Sequence, residues 1–513
     1  MDYRSALALL AVGVLLLRFF IKHFFSVRRH SGLPFPPGPT PRPIIGNLHD
    51  LPTRHPWLTY TDWGLRYGDL MHASVFGQHV IIINSVKTAT ELFEKRSHIY
   101  SDRPVVPMVE LLGWDYNTAL LPIGDRWRRH RRILQQHFRR DISRQYHPVQ
   151  IKKVHNLLHG LLSNPKDFRE LIQTLAAAII MSAVYGYEVE PSNDRFVTIC
   201  DAAVRKLADS FFPGAVAVNV IPILRHLPSW MPGAGFQRFA AECRELNQEM
   251  KKGPFEFTKQ NMVHGVEANS VVAKLLESSG RQSHSEETIQ ETAATAYAAG
   301  AETTVSSIAS FFLTMALHPD IQKRAQDEID AVVGTHRLPG FEDRASLPFV
   351  EALYREVMRW KPGIPLGVPH STSAEDIYNG YFIPKGAIVV SNIWAMTRDE
   401  SIYSEPNRFN PDRFFTADGK LNDNDTVLAF GFGRRICVGR WYGDASVWAT
   451  IVSVLAVFDI AKGKDAAGNE IGIDPDNYGG GLVSHPEPFA CSITPRSEAA
   501  KNLVQAAVEN HDV

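Results

Sequence analysis

The sequence predicts a mainly α-helical chain with a smaller β region, folded as one large domain behind an apolar amino-terminal segment. Three observations carry this. Most of the 513 residues follow helical spacing, and two alternating apolar stretches, "HVIIIN" (His79–Asn84) and "AIVVSN" (Ala387–Asn392), have the composition of strands. A hydrophobic content of 44% suffices for a large core, and beyond residue 46 no low-complexity linker, repeat or charge block divides the chain. The amino terminus stands apart: "SALALLAVGVLLL" (Ser5–Leu17) is uncharged, and "RFFIKHFF" (Arg18–Phe25) prolongs it with two cations able to snorkel to an interface.

Residues 1–25 read as a single-span membrane anchor, with a signal peptide as the rival reading. No small-residue cleavage site follows; instead come Arg28, Arg29 and the stiff stretch "LPFPPGPTPRP" (Leu33–Pro43), so 26–46 read as a basic, Pro-rich hinge. Arg18, Lys22, Arg28 and Arg29 outweigh Arg4, which puts the body of the protein, residues 47–513, on the cytosolic side. There the first key helix is "DRWRRHRRILQQHF" (Asp125–Phe138). A second runs from about Glu287 to Leu317 and stops at "HPD". The third, "PFVEALYREVMRW" (Pro348–Trp360), has Pro at an acceptable first-turn position and one apolar stripe of Val350, Leu353, Val357 and Trp360. A fourth, "YGDASVWATIVSVLAVF" (Tyr442–Phe458), is apolar nearly all round and therefore buried.

Composition excludes several functions. Lys plus Arg (54) balance Asp plus Glu (55), so no overall field attracts nucleic acid. The four cysteines, Cys200, Cys243, Cys437 and Cys491, are too few and scattered for a disulfide framework or a zinc site, and fit a reducing compartment.

Chemistry concentrates in five places. "FGFGRRICVG" (Phe430–Gly439) surrounds Cys437 with three glycines and two arginines, a tight turn that brings N–H groups near an electron-rich atom beside cations. A cysteine just before a helix amino terminus has a lowered pKa, and its thiolate suits a redox-active iron. In "AGAETT" (Ala299–Thr304), Ala299 and Gly300 lie one turn before Thr303 and leave a groove beside its hydroxyl, which can bond back to the carbonyl four residues earlier; Glu302 adds a proton source. Close packing of two helices through small residues is the alternative. Glu356 and Arg359, beside the apolar stripe, form a buried pair that needs a further partner, which "RFNPDRF" offers in Arg413. Trp127 and Arg131, one turn apart, can both donate to carboxylates, while the other arginines of that helix face outward.

Taken in chain order, Trp127/Arg131, Ala299–Thr304, Glu356/Arg359, Arg413 and the Cys437 loop resemble the cytochrome P450 family of haem-thiolate monooxygenases over the whole chain, and the wording of the hinge, of "SDRPVVPMVELLGW" and of the cysteine loop is similar to fungal enzymes of secondary metabolism of the O-methylsterigmatocystin oxidoreductase kind. The resemblance implies the cytochrome P450 fold for 47–513 and haem b (iron protoporphyrin IX) as cofactor. It implies Cys437 as axial ligand to the iron, Arg435, Trp127, Arg131 and His370 on the haem propionates, and Phe430 against the sulfur side of the ring. It implies Thr303 with Glu302 as the proton-delivering pair, and Glu356, Arg359 and Arg413 as a structural triad. It also implies dioxygen and an apolar small molecule as substrates, NADPH–cytochrome P450 reductase docking on the outward arginines, and residence in the endoplasmic reticulum membrane. The lining would come from Val105–Asn117, Asp209–Val220, Ala299, Ile364–Val368 and Gly481–Val483. Two rivals keep the haem: an enzyme rearranging peroxides without a reductase, and a non-catalytic haem sensor or carrier.

Overall fold

The computed structural model describes residues 32–211, 216–265, 269–278 and 284–509. The anchor assigned to 1–25 and the start of the hinge lie outside them. Among the described residues, eleven helices have twelve or more residues: α1 (Pro56–Tyr67), α2 (Asp125–Phe138), α3 (His147–Ser163), α4 (Phe168–Tyr185), α5 (Arg195–Phe211), α6 (Gly235–Val263), α7 (Glu286–Leu317), α8 (Pro319–Val332), α9 (Pro348–Trp360), α10 (Arg440–Val457) and α11 (Glu498–Glu509). The sequence bounds for α2 and α9 coincide with these, and those for α7 and α10 differ by one or two residues.

The long helix α7 starts where Ser285 accepts a hydrogen bond from the Thr288 N–H, with Glu286 and Glu287 complementing the helix dipole in the first turn. It runs through the core, packed most extensively on α4, while α10 is buried on nearly every face as its composition requires. Helix α4 is the apolar part of a stretch, Pro165–Tyr185, long enough to cross a membrane, but 67% of its most apolar window is buried inside the core. Helix α9 has no cap of its own; the Glu328 carboxylate of α8 accepts the Phe349 and Val350 N–H groups, both at 2.9 Å.

The β region is small. β1 (Leu70–Val75) and β2 (Gln78–Ile83) form a hairpin through Phe76 and Gly77, both at positive φ; β2 pairs in parallel with β6 (Ile388–Ser391), and β3 (His370–Ser371) closes the order β1-β2-β6-β3. The two strands expected from sequence are thus direct neighbours across about three hundred residues of chain. Two further ribbons, β4 (Asp376–Tyr378) with β5 (Tyr381–Ile383) and β7 (Phe458–Lys462) with β8 (Cys491–Pro495), complete the sheet structure.

The Glu356 cluster forms as its chemistry requires. Glu356 is fully buried and takes Arg359 at 2.7 and 2.9 Å, Arg413 at 3.1 Å and the Asn410 N–H at 2.8 Å. The remaining guanidinium donors reach the carbonyls of Thr397, Ser404 and Arg408, so no charge in the triad lacks a partner.

Candidate active site

The cysteine loop is held by its glycines. Gly431 and Gly433 sit at φ +78° and +52°, a region that other residues enter only with strain. At Gly433 a Cβ would stand 2.2 Å from the Phe93 carbonyl oxygen, so the loop lies against the backbone of Phe93 and Glu94 only because that atom is missing. The turn closes with the Cys437 N–H donating to the Phe430 carbonyl at 2.8 Å, and α10 begins three residues on. Phe430 is half-buried, its ring edge over Gly443 in the first turn of α10.

Cys437 is exposed as a residue although protein surrounds it at longer range. Burial pushes its thiol pKa up, against the Gly439 N–H and the Arg131 and Arg440 charges, which pull it down. The sequence expectation of a lowered pKa is therefore corrected: desolvation outweighs the helix terminus. A cation at the sulfur reverses that balance, because a metal binds the thiolate.

A second opening interrupts α7. The helix is largely buried from Ile289 to Ala298 and again from Ser306 to Ala316, yet Ala299 is exposed and residues 300–305 are only half-buried. Thr303 lies in this window, its hydroxyl donating to the Ala299 carbonyl at 2.8 Å, which leaves the oxygen lone pairs to accept. Gly300 has a different job: a Cβ there would meet Ile180 of α4 at 3.0 Å, so it permits close helix packing and does not widen the groove. The Glu302 carboxylate, beside Thr303 in sequence, pairs with His485, whose Nε2 is 2.7 Å from it.

A cluster of cations lies beside the cysteine loop, with Arg103 and Arg435 buried and Arg131 half-buried. Arg435 donates to the carbonyls of Ser101 and Leu121 at 2.8 Å and stacks its guanidinium 4.5 Å from the Trp127 ring centroid. Arg131 reaches the Ile436 carbonyl beside Cys437. Arg103, absent from the sequence reading, is buried with bonds to the carbonyls of Ala119, Val368 and Pro369. Burial lowers all three arginine pKa values, Arg435 to about 10, and repulsion from neighbouring arginines deepens this; Asp102 offsets it for Arg103 and Arg435, and Cys437 for Arg131. His370 is buried on β3 with Nδ1 2.7 Å from the Tyr100 carbonyl and its ring on Phe93; burial, then Arg103 and Arg435, hold it well below its ordinary pKa. A carbonyl only accepts, so Nδ1 carries the hydrogen, and Nε2 can donate to a carboxylate only as imidazolium.

Three guanidiniums and an imidazole around one carboxylate are an unbalanced set for a protein interior, and two incoming carboxylates balance it. Haem brings two propionates and an iron that takes thiolate sulfur, so these residues fit it. Not all the arginines of α2 face outward: Arg126 turns onto Glu291 of α7, which also lies 3.2 Å from the buried His130. The proposed lining is divided as well. Val105 is exposed, whereas Met108, Leu112, Trp114 and Tyr116 belong to the core, and 212–215 lie outside the described residues.

A helical fold with a cysteine loop before its last long core helix, and a cation cluster prepared for a dicarboxylate macrocycle, defines a thiolate-ligated haem protein. Comparison with known proteins agrees: the Cytochrome P450 family model matches residues 36–490. Cytochrome P450 monooxygenase 208 of Postia placenta is 42% identical over 94% of this chain and 95% of its own length. Cytochrome P450 monooxygenase COX1 of Coprinopsis cinerea is 39% identical over 97% and 98%, and claR of Ampulloclitocybe clavipes 38% over 98% and 93%. This chain belongs to the cytochrome P450 family: it is a haem-dependent monooxygenase.

Proposed function

We propose that the enzyme inserts one atom of dioxygen into a C–H or C=C bond of an apolar small molecule, a fungal secondary metabolite or a xenobiotic, using electrons from NADPH through NADPH–cytochrome P450 reductase. Bound haem supplies dioxygen activation at an iron whose thiolate ligand favours O–O cleavage. The chain supplies position and protons. Cys437 is the ligand, fixed by its N–H bond to the Phe430 carbonyl in a turn whose positive φ values Gly431 and Gly433 supply. Arg435, Trp127, Arg131 and Arg103 take the propionates, with His370 joining as imidazolium once a carboxylate stands opposite Nε2. Phe430, on the cysteine side of the site, would pack against the bound group.

Thr303 accepts a hydrogen bond from the incoming proton donor, since its own hydrogen is committed to Ala299, and Glu302 is the acid that supplies protons to that window. The outward arginines Arg128, Arg129, Arg132, Arg139 and Arg140 are exposed and favour an acidic redox partner by long-range attraction. Residues 1–25 anchor the enzyme in the endoplasmic reticulum membrane with the catalytic domain, 47–513, in the cytosol. The observation that carries the reading is the cation cluster of Arg103, Arg435 and Arg131 beside the exposed Cys437. Its test is metabolite profiling of microsomes co-expressing the chain with a fungal reductase: NADPH-dependent oxygenated products support it. Products formed from hydroperoxides with no need of NADPH would favour the peroxide-rearranging alternative, and haem binding without any turnover the sensor.

A further inference from the structure

We propose that His485 is a positioning residue for proton delivery, holding the Glu302 carboxylate in the orientation that Thr303 needs; this rests on the reading of Glu302 as the proton source. The geometry is specific. A carboxylate only accepts, so the His485 Nε2–H donates to Glu302 over 2.7 Å, and both side chains are 25% exposed, where water can reach them. An isolated partly exposed pair of this kind is usually worth little, because two mobile side chains must be ordered to make it. Here one of them is already ordered. The carbonyl of Ser484 accepts from Ser306 of α7 at 2.6 Å, the Ser484 N–H donates to Gly363, and the His485 carbonyl accepts from the Gly479 N–H at 2.8 Å. Residues 302 and 306 are one turn apart, so two adjacent loop residues grip two successive turns of α7 beside Thr303.

The other groups facing the pair cannot replace it. They lie on α5: Cys200, Asp201 and Arg205. Arg205 is committed to Asp201 at 2.6 Å, and Glu302 adds to the burial that raises the pKa of Asp201 and of Cys200. From α5 the Glu302 carboxylate therefore meets the charge of Asp201, while the guanidinium of Arg205 is turned onto that Asp201. The loop also touches α5, since a Cβ on Gly481 would meet Ala208 at 3.8 Å. His485 thus joins three elements around one acid: α5, α7 and the 479–485 loop.

The test needs no substrate. Purified holoenzyme with NADPH and a reductase reduces dioxygen either to hydrogen peroxide, with two electrons and two protons, or to two waters, with four of each; slow protonation favours peroxide. The fraction of consumed oxygen recovered as peroxide should rise at least about threefold in Glu302→Gln and in His485→Ala, and no further in the double variant. His485→Gln, which keeps an N–H donor, should return within about 1.5-fold of wild type, whereas His485→Asn, too short to reach, should not. Thermal melts of the same proteins give a readout independent of turnover: the losses from Glu302→Gln and His485→Ala should be non-additive. A wild-type peroxide fraction in His485→Ala beside a raised one in Glu302→Gln overturns the role of His485 and leaves that of Glu302 standing. No change in Glu302→Gln overturns both. Additive melts, or His485→Gln behaving as His485→Ala, also refute positioning.

Discussion

Replacing the glycines of the cysteine loop by alanine one at a time separates backbone strain from steric exclusion at the heart of the site. Gly433→Ala faces both. Its φ of +52° costs an L-residue about 1–2 kcal/mol, and its Cβ would lie 2.2 Å from the Phe93 oxygen, roughly 1 Å inside a close C–H···O contact. A backbone oxygen cannot rotate aside, so overpacking adds about 1–3 kcal/mol, for a total of roughly 2–5 kcal/mol. Gly431→Ala faces strain alone: φ is +78° but a Cβ there meets nothing within 4 Å, so the cost is about 1–2 kcal/mol. Gly439→Ala faces neither. Its φ is −80° and its Cβ would rest 3.9 Å from the Cys437 sulfur, so stability should change by less than about 0.5 kcal/mol while the sulfur environment changes. The assay is the apparent Tm of each purified variant together with the fraction carrying thiolate-ligated haem by the carbon monoxide difference spectrum. The predicted order of damage is Gly433, then Gly431, then Gly439. Equal losses at Gly431 and Gly433, or a harmless Gly433→Ala, would refute the argument that Phe93 sets the loop's path.

Glu356→Leu should cost about 3–5 kcal/mol by leaving Arg359 and Arg413 buried without their carboxylate, seen as loss of holoenzyme yield and Tm; a near-normal yield would count against the triad as a folding element. Thr303→Ala should change Tm little, because a hydroxyl bonded to the carbonyl four residues back adds little to a helix, yet it should divert electrons to peroxide; unchanged coupling would mean that protons arrive by another route. His72, depressed to about 3 by burial and by His79, stays neutral in the fold but titrates near 6.5 unfolded. The unfolded chain therefore binds the extra proton, so stability is complete above about pH 6.5 and is lost as pH falls toward 3, reaching about 2 kcal/mol lost by pH 5. Melts at pH 7.5 and 5 should show a smaller acid loss in His72→Gln than in wild type; equal losses would place the sensitivity elsewhere.

Local signals in the sequence were reliable where chemistry is local. The bounds of α2 and α9 follow from apolar period and, for α9, from Pro348 at the first turn and Pro362 beyond the last. The Glu356–Arg359 spacing and the need for a third partner were readable from helix geometry and the cost of buried charge. What escaped depends on distant chain. Arg103 lies in an irregular loop, so no period marks it, and its burial is created by carbonyls at 119, 368 and 369. The Glu302–His485 contact joins residues 183 apart. Sequence spacing puts Gly300 and Ala299 on one groove, but only the position of α4 decides that Gly300 meets Ile180 while Ala299 stays open. The Cys437 pKa was misjudged because the helix terminus is visible in sequence and the desolvation is not.

The decisive measurement is the difference spectrum of reduced holoenzyme with carbon monoxide, taken for wild type and Cys437→Ser at equal haem content. A thiolate at position 437 requires the red-shifted Soret band in wild type and its disappearance in the variant. An unchanged band in Cys437→Ser, or a wild-type spectrum of the histidine-ligated kind, would contradict the assignment on which the site rests.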